Sequence, residues 1–232
     1  VDPYGEASPL EVSDDFSTNT FGTGGKYNLG GADWEQVSGS STPTVQGGVL
    51  TTPTTTGANT WSHTANSYVD SEVITKVRFD GTDAANKLVG HVHKFVDTNN
   101  YIYARAISDG AGAATLDFRG VVNGTAANVS SVAITTLTPN TWYWIRSIIS
   151  GNVVRVEWWT TEPTPMGTAT HSDEDVLSAA NSVIFGAEAP AREVSVIWST
   201  TGVGTLSFDY IRITPLTYRN WTLPDVLPLN GE

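Results

Sequence analysis

Residues 207–213 read Ser-Phe-Asp-Tyr-Ile-Arg-Ile, and residues 14–17 read Asp-Asp-Phe-Ser. Each stretch places an aspartate beside a phenylalanine of the kind that fills a protein core, and the two stretches lie near opposite ends of the chain. Strands from the two ends of a chain commonly pair in all-β sandwiches. We therefore expect these segments to become neighbouring strands that close one sheet.

The composition favours a single large β domain. The chain has 232 residues, of which 39% are hydrophobic and 10% aromatic, so it is long enough to bury a substantial core. Only 16% of residues are charged, and glycine, threonine, serine and valine are abundant. Such a composition suits short strands joined by tight turns and disfavours a helix-rich fold.

The charge balance argues against two classes of partner. Twelve basic residues stand against 24 acidic ones, which gives a formal net charge of −12. This charge repels phosphate backbones and anionic membranes, so we expect no nucleic-acid partner. No apolar run approaches the roughly 20 residues that span a bilayer, so we expect no membrane insertion. The chain contains no cysteine, which excludes a disulfide, a thiolate metal site and a cysteine nucleophile.

Three segments can be distinguished along the chain. Residues 1–13 contain two prolines and a glycine without sustained alternation, which predicts an extended leader. Residues 14–214 form the predicted β-sandwich domain. Residues 215–232 carry three prolines among leucines and cannot continue a central strand, so they form either a docked arm or a linker.

Two hairpins are predicted from alternation and turn chemistry. Residues 88–107 contain two apolar runs on either side of Asp-Thr-Asn-Asn at 97–100, and Asx-rich stretches favour a tight reversal. Residues 142–159 repeat this arrangement around Ser-Gly-Asn at 150–152, where glycine and asparagine accept a positive φ. This second hairpin is the most hydrophobic part of the chain.

Further segments complete a sandwich of about twelve strands. Residues 69–79 place Val73, Val77 and Phe79 on one face by their period of two. Residues 171–180 are the only predicted helix, with Ser172 or Asp173 as the N-cap and acidic residues in the first turn. The other predicted strands are residues 116–122, 129–137, 182–187, 194–200 and 206–214.

The pattern of these segments resembles the concanavalin A-like jelly-roll superfamily, and most closely its laminin G-like branch. The resemblance rests on Asp-Asp-Phe at 14–16 followed by Trp34, Gly-Gly-Val-Leu at 47–50, Asp-Thr-Asn-Asn-Tyr at 97–101, and Asn-Thr-Trp-Tyr-Trp-Ile-Arg at 140–146. The superfamily also includes legume-type lectins and laminarinase-type glycoside hydrolases. The resemblance implies an all-β fold of two antiparallel sheets, and similar modules occur in phage tail and receptor-binding proteins and in secreted bacterial carbohydrate-active proteins.

The sequence lacks the catalytic pattern of the hydrolase relatives. Those relatives use Glu-x-Asp-x-x-Glu, in which alternation along a strand places acid and nucleophile on one face. No such pattern occurs, residues 173–175 have the wrong spacing, and Glu157 stands alone between flanking tryptophans and valines. Neither a nucleophile elbow nor a phosphate-binding glycine loop is present. We therefore expect a non-catalytic protein.

The resemblance also implies a structural calcium ion where the terminal strands meet. Its ligands would be the carboxylate of Asp15 or Asp14, the carbonyl of Gly48 and the carboxylate of Asp209. Two carboxylates with carbonyls and waters satisfy the oxygen coordination that calcium requires. The alternative is that these aspartates only bond backbone amides at strand ends, and the sequence leaves both interpretations open.

Glycan binding by such sandwiches depends on exposed aromatic rings. Trp158 and Trp159 are adjacent in a strand and point to opposite faces, so we expect one of them to be exposed in a groove. The alternative for each aromatic is core packing, favoured for Trp144 and Trp158. Arginines at alternating strand positions are candidates for bonding sugar hydroxyls or carboxylates, and pairing with local acids is their more common role. The candidate ligand-binding residues are Trp61, Tyr101, Tyr103, Arg105, Trp158 and Trp159.

His91 and His93 share a strand face by alternation. Two imidazoles on one face can contribute to a zinc site, but no third ligand is identifiable. We therefore favour a surface or groove-lining role for both histidines.

The favoured function is a non-catalytic module for glycan binding, adhesion or assembly in a phage virion, as part of a tail, a fibre or a surface decoration. Its partners would be a host cell-surface glycan and, through the terminal arms, other virion proteins or copies of the chain. One alternative is a carbohydrate-binding module of a secreted bacterial polysaccharide-degrading enzyme. Another is a purely structural virion protein.

Overall fold

The computed structural model describes residues 12–14, 16, 34–41, 43–54, 59–81, 87–108, 113–134, 137–161, 169–186, 189–190, 192–200 and 204–216. In this part of the chain every strand pairing is antiparallel, and one short helix, α1 (Ala179–Phe185), interrupts the strands. The strands are β1 (Val12–Asp14), β2 (Trp34–Ser38), β3 (Thr44–Gln46), β4 (Val49–Thr51), β5 (Asn59–Tyr68), β6 (Ser71–Phe79), β7 (Lys87–Asp97), β8 (Asn100–Ser108), β9 (Ala114–Val122), β10 (Thr125–Ile134), β11 (Trp142–Ser150), β12 (Val153–Trp159), β13 (His171–Val176), β14 (Arg192–Thr200) and β15 (Leu206–Pro215).

The strands form two sheets. The eight-stranded sheet has the order β13-β12-β11-β6-β15-β4-β3, and β1 pairs with β15 further along the edge that β4 uses. The seven-stranded sheet has the order β10-β9-β8-β7-β14-β5-β2. Their inner faces enclose one apolar core, as alternation requires when one face of each strand is buried. The prediction of an all-β, two-sheet antiparallel sandwich is confirmed.

The two ends of the chain meet as the sequence predicts. Val12 lies opposite Ile213 and Asp14 lies opposite Ile211, so β1 completes the sheet beside the last strand. The core contains both phenylalanines of the two predicted segments, Phe16 and Phe208. Val12 and Ser13 of the predicted leader are thus part of a strand, while residues 1–11 of that leader and residues 217–232 of the predicted arm lie outside the described residues.

Both predicted hairpins are confirmed. Strands β7 and β8 flank the turn after Asp97, and β11 and β12 flank Gly151, whose φ is +59°. On β6, Val73, Val77 and Phe79 face the core as their alternation predicts. These pairings determine which side chains of β7 to β9 and of β11 to β12 face the core and which lie on the outer side of the sheet.

The helix prediction at residues 171–180 is wrong. His171–Val176 form β13, an edge strand that takes its backbone partners from β12, so tertiary pairing overrides the local preference of the acidic run. The helix begins instead after Ser178, whose side chain accepts a hydrogen bond from the Asn181 amide. The predicted strand at 182–187 is therefore also wrong, because the helix places Phe185 in the core and leaves Val183 in solvent.

A polar chain crosses the core between the two sheets. His91 and His93 on β7 are fully buried and hydrogen-bond to three hydroxyl-bearing residues of the opposite sheet, Ser71, Thr75 and Ser147. Burial lowers the pKa of His91 to about 3 and, with the charges of His91 and Lys94, lowers the pKa of His93 well below its ordinary value. Both rings are therefore neutral at pH 7, and the predicted surface or groove-lining role for them is wrong.

Candidate functional site

A row of aromatic side chains lies on the outer face of the seven-stranded sheet. Tyr101 and Tyr103 project from β8 on the same side because they are two residues apart. The centroids of these two rings are 5.3 Å apart. On β7, the ring centroid of Phe95 lies 6.1 Å from that of Tyr101. Phe95 and Tyr101 are partly exposed, so this row presents aromatic surface to solvent.

Two arginines extend this row across the sheet. Arg105 follows Tyr103 on β8, and Arg119 on β9 lies directly opposite Tyr103 in the strand register. The Arg105 guanidinium lies 5.9 Å from the centroid of the Tyr103 ring. We call the outer surface formed by Phe95, Tyr101, Tyr103, Arg105 and Arg119 the aromatic face.

Arg105 is fixed by Asp117. Its Nε and Nη2 donate to the two carboxylate oxygens of Asp117 at 2.8 and 3.1 Å, and the Asp117 side chain is nearly fully buried. Burial acts to lower the pKa of Arg105, but the hydrogen bonds and charge of Asp117 outweigh it and leave this pKa above its ordinary value. The bidentate pair holds the Arg105 side chain in place beside Tyr103.

Arg119 is half-buried and unpaired. Its Nε is enclosed and has no hydrogen-bond partner, and no ion pair to Arg119 occurs among the described residues. Across the other edge of β9 its register partner is Asn128, which is exposed on β10. The aromatic face therefore contains one guanidinium without an internal acceptor, and its terminal nitrogens, which are not enclosed, are the donors available to a ligand.

The tyrosine hydroxyls add neutral donors to this surface. Burial, and then the neighbouring Tyr103, raise the pKa of Tyr101, while Arg119 and Arg105 act in the opposite direction. Tyr101 is consequently protonated at neutral pH and can both donate and accept a hydrogen bond.

A second apolar cluster supports the aromatic face from below. Val92, Val121 and Ile197 are buried on this outer side of the sheet and pack with Tyr103, while Leu88, Phe95 and Tyr101 cover them. The aromatic rings thus rest on a packed layer that limits their movement, which is the rigid support a binding site requires.

Polar turn residues border one end of the aromatic face. The Asp97 carboxylate accepts hydrogen bonds from the Asn99 amide at 2.7 Å and from the Asn100 side chain, and these bonds lower the pKa of Asp97. Asn100 in turn accepts from the Asn123 amide, which ties the β7–β8 turn to the β9–β10 turn. Exposed amides of these turns lie beside Phe95 and Tyr101 along the strands.

The predicted tryptophans do not lie on this surface. Trp61 and Trp158 are buried in the core, where Trp61 stacks with Trp198 at 6.2 Å and Trp158 stacks with Tyr143 at 4.7 Å. Trp159 points to the outer side as alternation predicts, yet only 4% of it is exposed. The expectation that Trp158 or Trp159 is exposed in a groove is therefore wrong, because both sides of β12 are covered. Trp61, Trp158 and Trp159 offer no open ring face to a sugar in this arrangement.

The outer face of the eight-stranded sheet carries a different aromatic group. Trp142 and Trp144 on β11 are partly exposed, and the Lys76 ammonium lies 5.2 and 5.4 Å from their ring centroids. Arg78 lies 4.7 Å from the Trp142 centroid and pairs with Asp80. The preference for a core position of Trp144 is therefore wrong, and cations already lie close to both tryptophan rings.

The acidic residues of this second face are paired. Glu157 accepts from Arg146 at 2.9 Å and from Arg155 at 2.6 Å, and Glu72 also bonds Arg146. Glu157 is thus part of an ion-pair network in this structure.

The calcium prediction involves three residues with different outcomes. Asp15 lies outside the described residues, and Gly48 lies in the β3–β4 turn. The Asp209 carboxylate forms an ion pair with Lys76, so its charge is already neutralised. The described part of the chain contains no group of three or more potential metal ligands. His91 and His93 therefore have no third zinc ligand among the described residues. The described donors fit calcium poorly, and calcium at Asp15, Gly48 and Asp209 stays a prediction.

Sequence reasoning found part of the aromatic face. Alternation alone places Tyr101, Tyr103 and Arg105 on one side of β8. It missed Phe95 as a member, because a bulge between Val92 and Lys94 changes the side on which β7 residues emerge. The available signal was the predicted hairpin, whose register brings Phe95 opposite Tyr101.

Comparison with known structures identifies the fold. The chain resembles carbohydrate-binding module CBM66 from Bacillus subtilis, with 14% identity and a TM-score of 0.52 over 75% of this chain and 91% of that one. It also resembles the CBM2 module of the evolved Dit of Lactobacillus casei BL23 phage J-1, with 10% identity and a TM-score of 0.54 over 89% and 96% of the two chains. The fold is a concanavalin A-like jelly roll.

An enzyme chain contains a similar domain. The GH43 protein BlXynB from Bacillus licheniformis matches with 17% identity and a TM-score of 0.60 over 88% of this chain but only 39% of BlXynB. This chain therefore corresponds to a minor part of BlXynB. No protein-family model matches the sequence, and no curated protein matches it either. Among the described residues, no helix is long and apolar enough to cross a membrane.

Proposed function

We propose that this jelly roll is a non-catalytic glycan-binding module and that its binding site is the aromatic face of the seven-stranded sheet. The observation that carries the proposal is the row of Phe95, Tyr101 and Tyr103 beside the unpaired Arg119, in which Phe95 and Tyr101 are partly open to solvent and the buried Tyr103 supports them. The similarity of the fold to carbohydrate-binding module CBM66 supports the same function.

The chemistry of the aromatic face suits a sugar. The apolar side of a pyranose ring packs against a flat aromatic ring, and the sugar hydroxyls around its edge require hydrogen-bond partners. Tyr101 supplies both a ring and a hydroxyl, and Arg119 supplies donors without an internal acceptor. A shallow row of rings on an open sheet accommodates successive units of a polysaccharide chain, whereas a deep pocket would accept only its end.

The first experiment is a titration of the purified chain against a panel of bacterial and plant polysaccharides, with and without calcium. Binding is followed by intrinsic fluorescence, and release of reducing ends is measured in the same samples to test for cleavage. We expect binding without cleavage. Release of reducing ends that requires the folded chain would contradict the non-catalytic proposal.

Two variants locate the site. Tyr101→Ala removes a ring from the aromatic face, and Trp142→Ala removes a partly exposed ring from the opposite sheet as a matched control. We expect Tyr101→Ala to weaken binding by up to about tenfold, because one stacked aromatic contact contributes about 0.5–1.5 kcal/mol. Equal binding by Tyr101→Ala and the parent, with loss in Trp142→Ala, would move the site to the eight-stranded sheet.

For the biological setting we propose a phage virion component of the tail, a fibre or the surface, in which this domain binds a host glycan. The support is the similarity over nearly the whole of both chains to the CBM2 module of a phage Dit. The partners would be the host glycan and other virion proteins or copies of the chain, and the location would be the extracellular particle. Labelled protein should bind intact host cells and be displaced by the purified cell-surface polysaccharide.

The alternative is a carbohydrate-binding module of a secreted polysaccharide-degrading enzyme, supported by the similarity to part of BlXynB. Preference for an insoluble plant polysaccharide over bacterial cell-surface glycans would favour this alternative. A purely structural virion protein would bind no glycan. Removal of residues 217–232 would then abolish self-association measured by light scattering, while a glycan-binding module would retain its ligand affinity.

A further inference from the structure

The pairing of cations in this protein singles out Arg119. Acidic residues outnumber basic ones by 24 to 12, so a basic side chain on the surface readily finds a carboxylate. Of the lysine and arginine side chains that the structure describes, Arg119 alone makes no hydrogen bond or ion pair. The others pair as Lys76 with Asp209, Arg78 with Asp80, Lys87 with the Asp80 carbonyl, Lys94 with the Gly186 carbonyl, Arg105 with Asp117, Arg146 with Glu72 and Glu157, Arg155 with Glu157, and Arg212 with Glu72.

The position of Arg119 indicates which kind of chemical group would accept hydrogen bonds from it. Its enclosed Nε lacks an acceptor, and leaving such a donor unpaired is costly in a folded protein. The Arg119 side chain lies opposite Tyr103 within the aromatic face, and its positive charge acts to lower the pKa of Tyr101. The two terminal nitrogens of Arg119 also make no hydrogen bond and are not enclosed, so an acceptor on a ligand above these rings can reach them.

Arg105 does not offer a free positive charge to a ligand. Both carboxylate oxygens of Asp117 hold its guanidinium, and the pair is neutral as a unit. The Asp117 charge is likewise unavailable to repel an anion. On the aromatic face, the net positive charge that remains is that of Arg119.

We infer that the glycan bound by the aromatic face carries a carboxylate, as in a uronic acid, and that Arg119 binds it. This inference rests on the proposed function. A pyranose ring stacked flat on the partly exposed Tyr101 directs its equatorial substituents outward in the plane of the ring, toward the neighbouring strand where Arg119 lies. The planar guanidinium matches a planar carboxylate in two parallel hydrogen bonds, which are about twice as strong as neutral ones.

The net negative charge of the chain disfavours nonspecific binding of acidic polymers. With a formal charge of −12, the chain repels polyanions at distances up to the Debye length, about 10 Å at 0.1 M salt. Binding of an acidic polymer therefore requires a specific contact, because no broad basic surface attracts it. A basic patch that binds any polyanion would behave in the opposite way.

The test compares polymers that differ only in charge. Polygalacturonate, alginate and glucuronoxylan are each assayed beside the same polymer after chemical reduction of its carboxyl groups to alcohols. We expect at least one uronate polymer to bind about tenfold more tightly than its reduced form, which corresponds to one charge-assisted bond. Arg119→Gln should remove this difference by lowering the affinity for the uronate polymer to that for the reduced form.

Matched variants separate a binding role from a structural one. Arg155→Gln removes an exposed arginine of the other sheet and should preserve the preference for the uronate polymer. Arg119→Lys keeps the charge without the planar fork and should retain only part of the preference. Because Arg119 has no internal partner, Arg119→Gln should leave the unfolding temperature unchanged, whereas loss of a structural contact would lower it.

The possible outcomes distinguish this inference from the proposed function. Equal affinity for charged and reduced polymers, with both lost in Tyr101→Ala, overturns the carboxylate assignment and leaves the glycan site standing. Binding of dextran sulfate through Arg119 without binding of any uronate also overturns the carboxylate assignment. Glycan binding that is unaffected by both Tyr101→Ala and Arg119→Gln overturns the site itself, and the absence of binding to every glycan overturns both proposals.

Discussion

The hydroxyl oxygen of Ser147, on the eight-stranded sheet, lies 2.6 Å from Nδ1 of His91 on the seven-stranded sheet. The same oxygen lies 2.6 Å from Nε2 of His93, and the outer ring nitrogens reach Ser71 at 2.7 Å and Thr75 at 3.0 Å. One hydroxyl has a single proton, so Ser147 can donate to only one ring and must accept from the other. Full pairing therefore requires that both histidines carry their proton on the same ring nitrogen, either both Nε2 or both Nδ1.

The first prediction concerns the stability that Ser147 provides. Ser147→Ala leaves two buried ring nitrogens without a partner, and each such loss costs about 1 to 3 kcal/mol. We expect the free energy of unfolding to fall by on the order of 3 kcal/mol in denaturant titrations. The matched control is Ser150→Ala on the same strand, where the serine hydroxyl has no partner among the described residues and the loss should stay within about 0.5 kcal/mol. Similar small losses in both variants would contradict a structural role for the polar chain.

The second prediction concerns pH. The pKa of His91 is about 3 in the folded chain, against about 6.5 for an unperturbed histidine. Between these values the unfolded chain binds more protons than the folded one, so stability is complete above pH 6.5 and falls as the pH drops toward 3. His93, beside the cationic Lys94, contributes in the same direction. Each histidine contributes a slope of up to about 1.4 kcal/mol per pH unit.

His91→Gln tests this slope because it removes one titrating ring. We expect the free energy of unfolding, measured from pH 4 to pH 6, to depend less steeply on pH in this variant, whatever its absolute stability. Ser150→Ala keeps both histidines and should retain the slope of the parent. A slope unchanged by His91→Gln would show that other groups dominate the acid sensitivity.

The sequence predicts the parts of this molecule that depend on local pattern. Strict alternation and turn residues define the β7–β8 and β11–β12 hairpins, and alternation alone places Tyr101, Tyr103 and Arg105 on one face. The acidic run at 173–175 follows helix preferences when taken alone, and only pairing with β12 makes it a strand. Local pattern does not contain this long-range pairing.

Burial and pairing of side chains are the parts that the sequence does not determine. Alternation predicts that Trp158 and Trp159 face opposite ways, but not that both faces of β12 are covered. The same holds for His91 and His93, whose shared face is predicted and whose hydroxyl partners come from the opposite sheet. That Arg105 is paired and Arg119 is not depends on the register of β8 with β9, which places Asp117 beside Arg105.

The third prediction concerns the Arg105–Asp117 pair. Asp117→Leu leaves a largely buried guanidinium without its counter-charge, which we expect to cost about 3 kcal/mol of unfolding free energy. Arg105→Met should be similarly costly because it leaves the Asp117 carboxylate buried and alone. The double variant replaces the pair by apolar side chains and should recover most of the loss. Additive losses in this double-mutant cycle would show that the two side chains are not coupled.

The last prediction concerns Gly90, which lies opposite Arg105 in the β7–β8 pairing. A Cβ at this position would clash with the Ala104 carbonyl oxygen and crowd Cα and Cβ of Arg105, so the backbone of β8 must shift. We expect Gly90→Ala to lower the unfolding free energy by about 2 kcal/mol, typical of overpacking, and to weaken glycan binding because Tyr103 and Arg105 move with β8. The control is Gly120→Ala, whose Cβ would lie nearest to the side-chain amide of Asn181 on α1 and not to the backbone of β8. Gly120→Ala should keep its glycan affinity, and a Gly90→Ala protein that binds as tightly as the parent would show that the position of β8 does not determine the binding site.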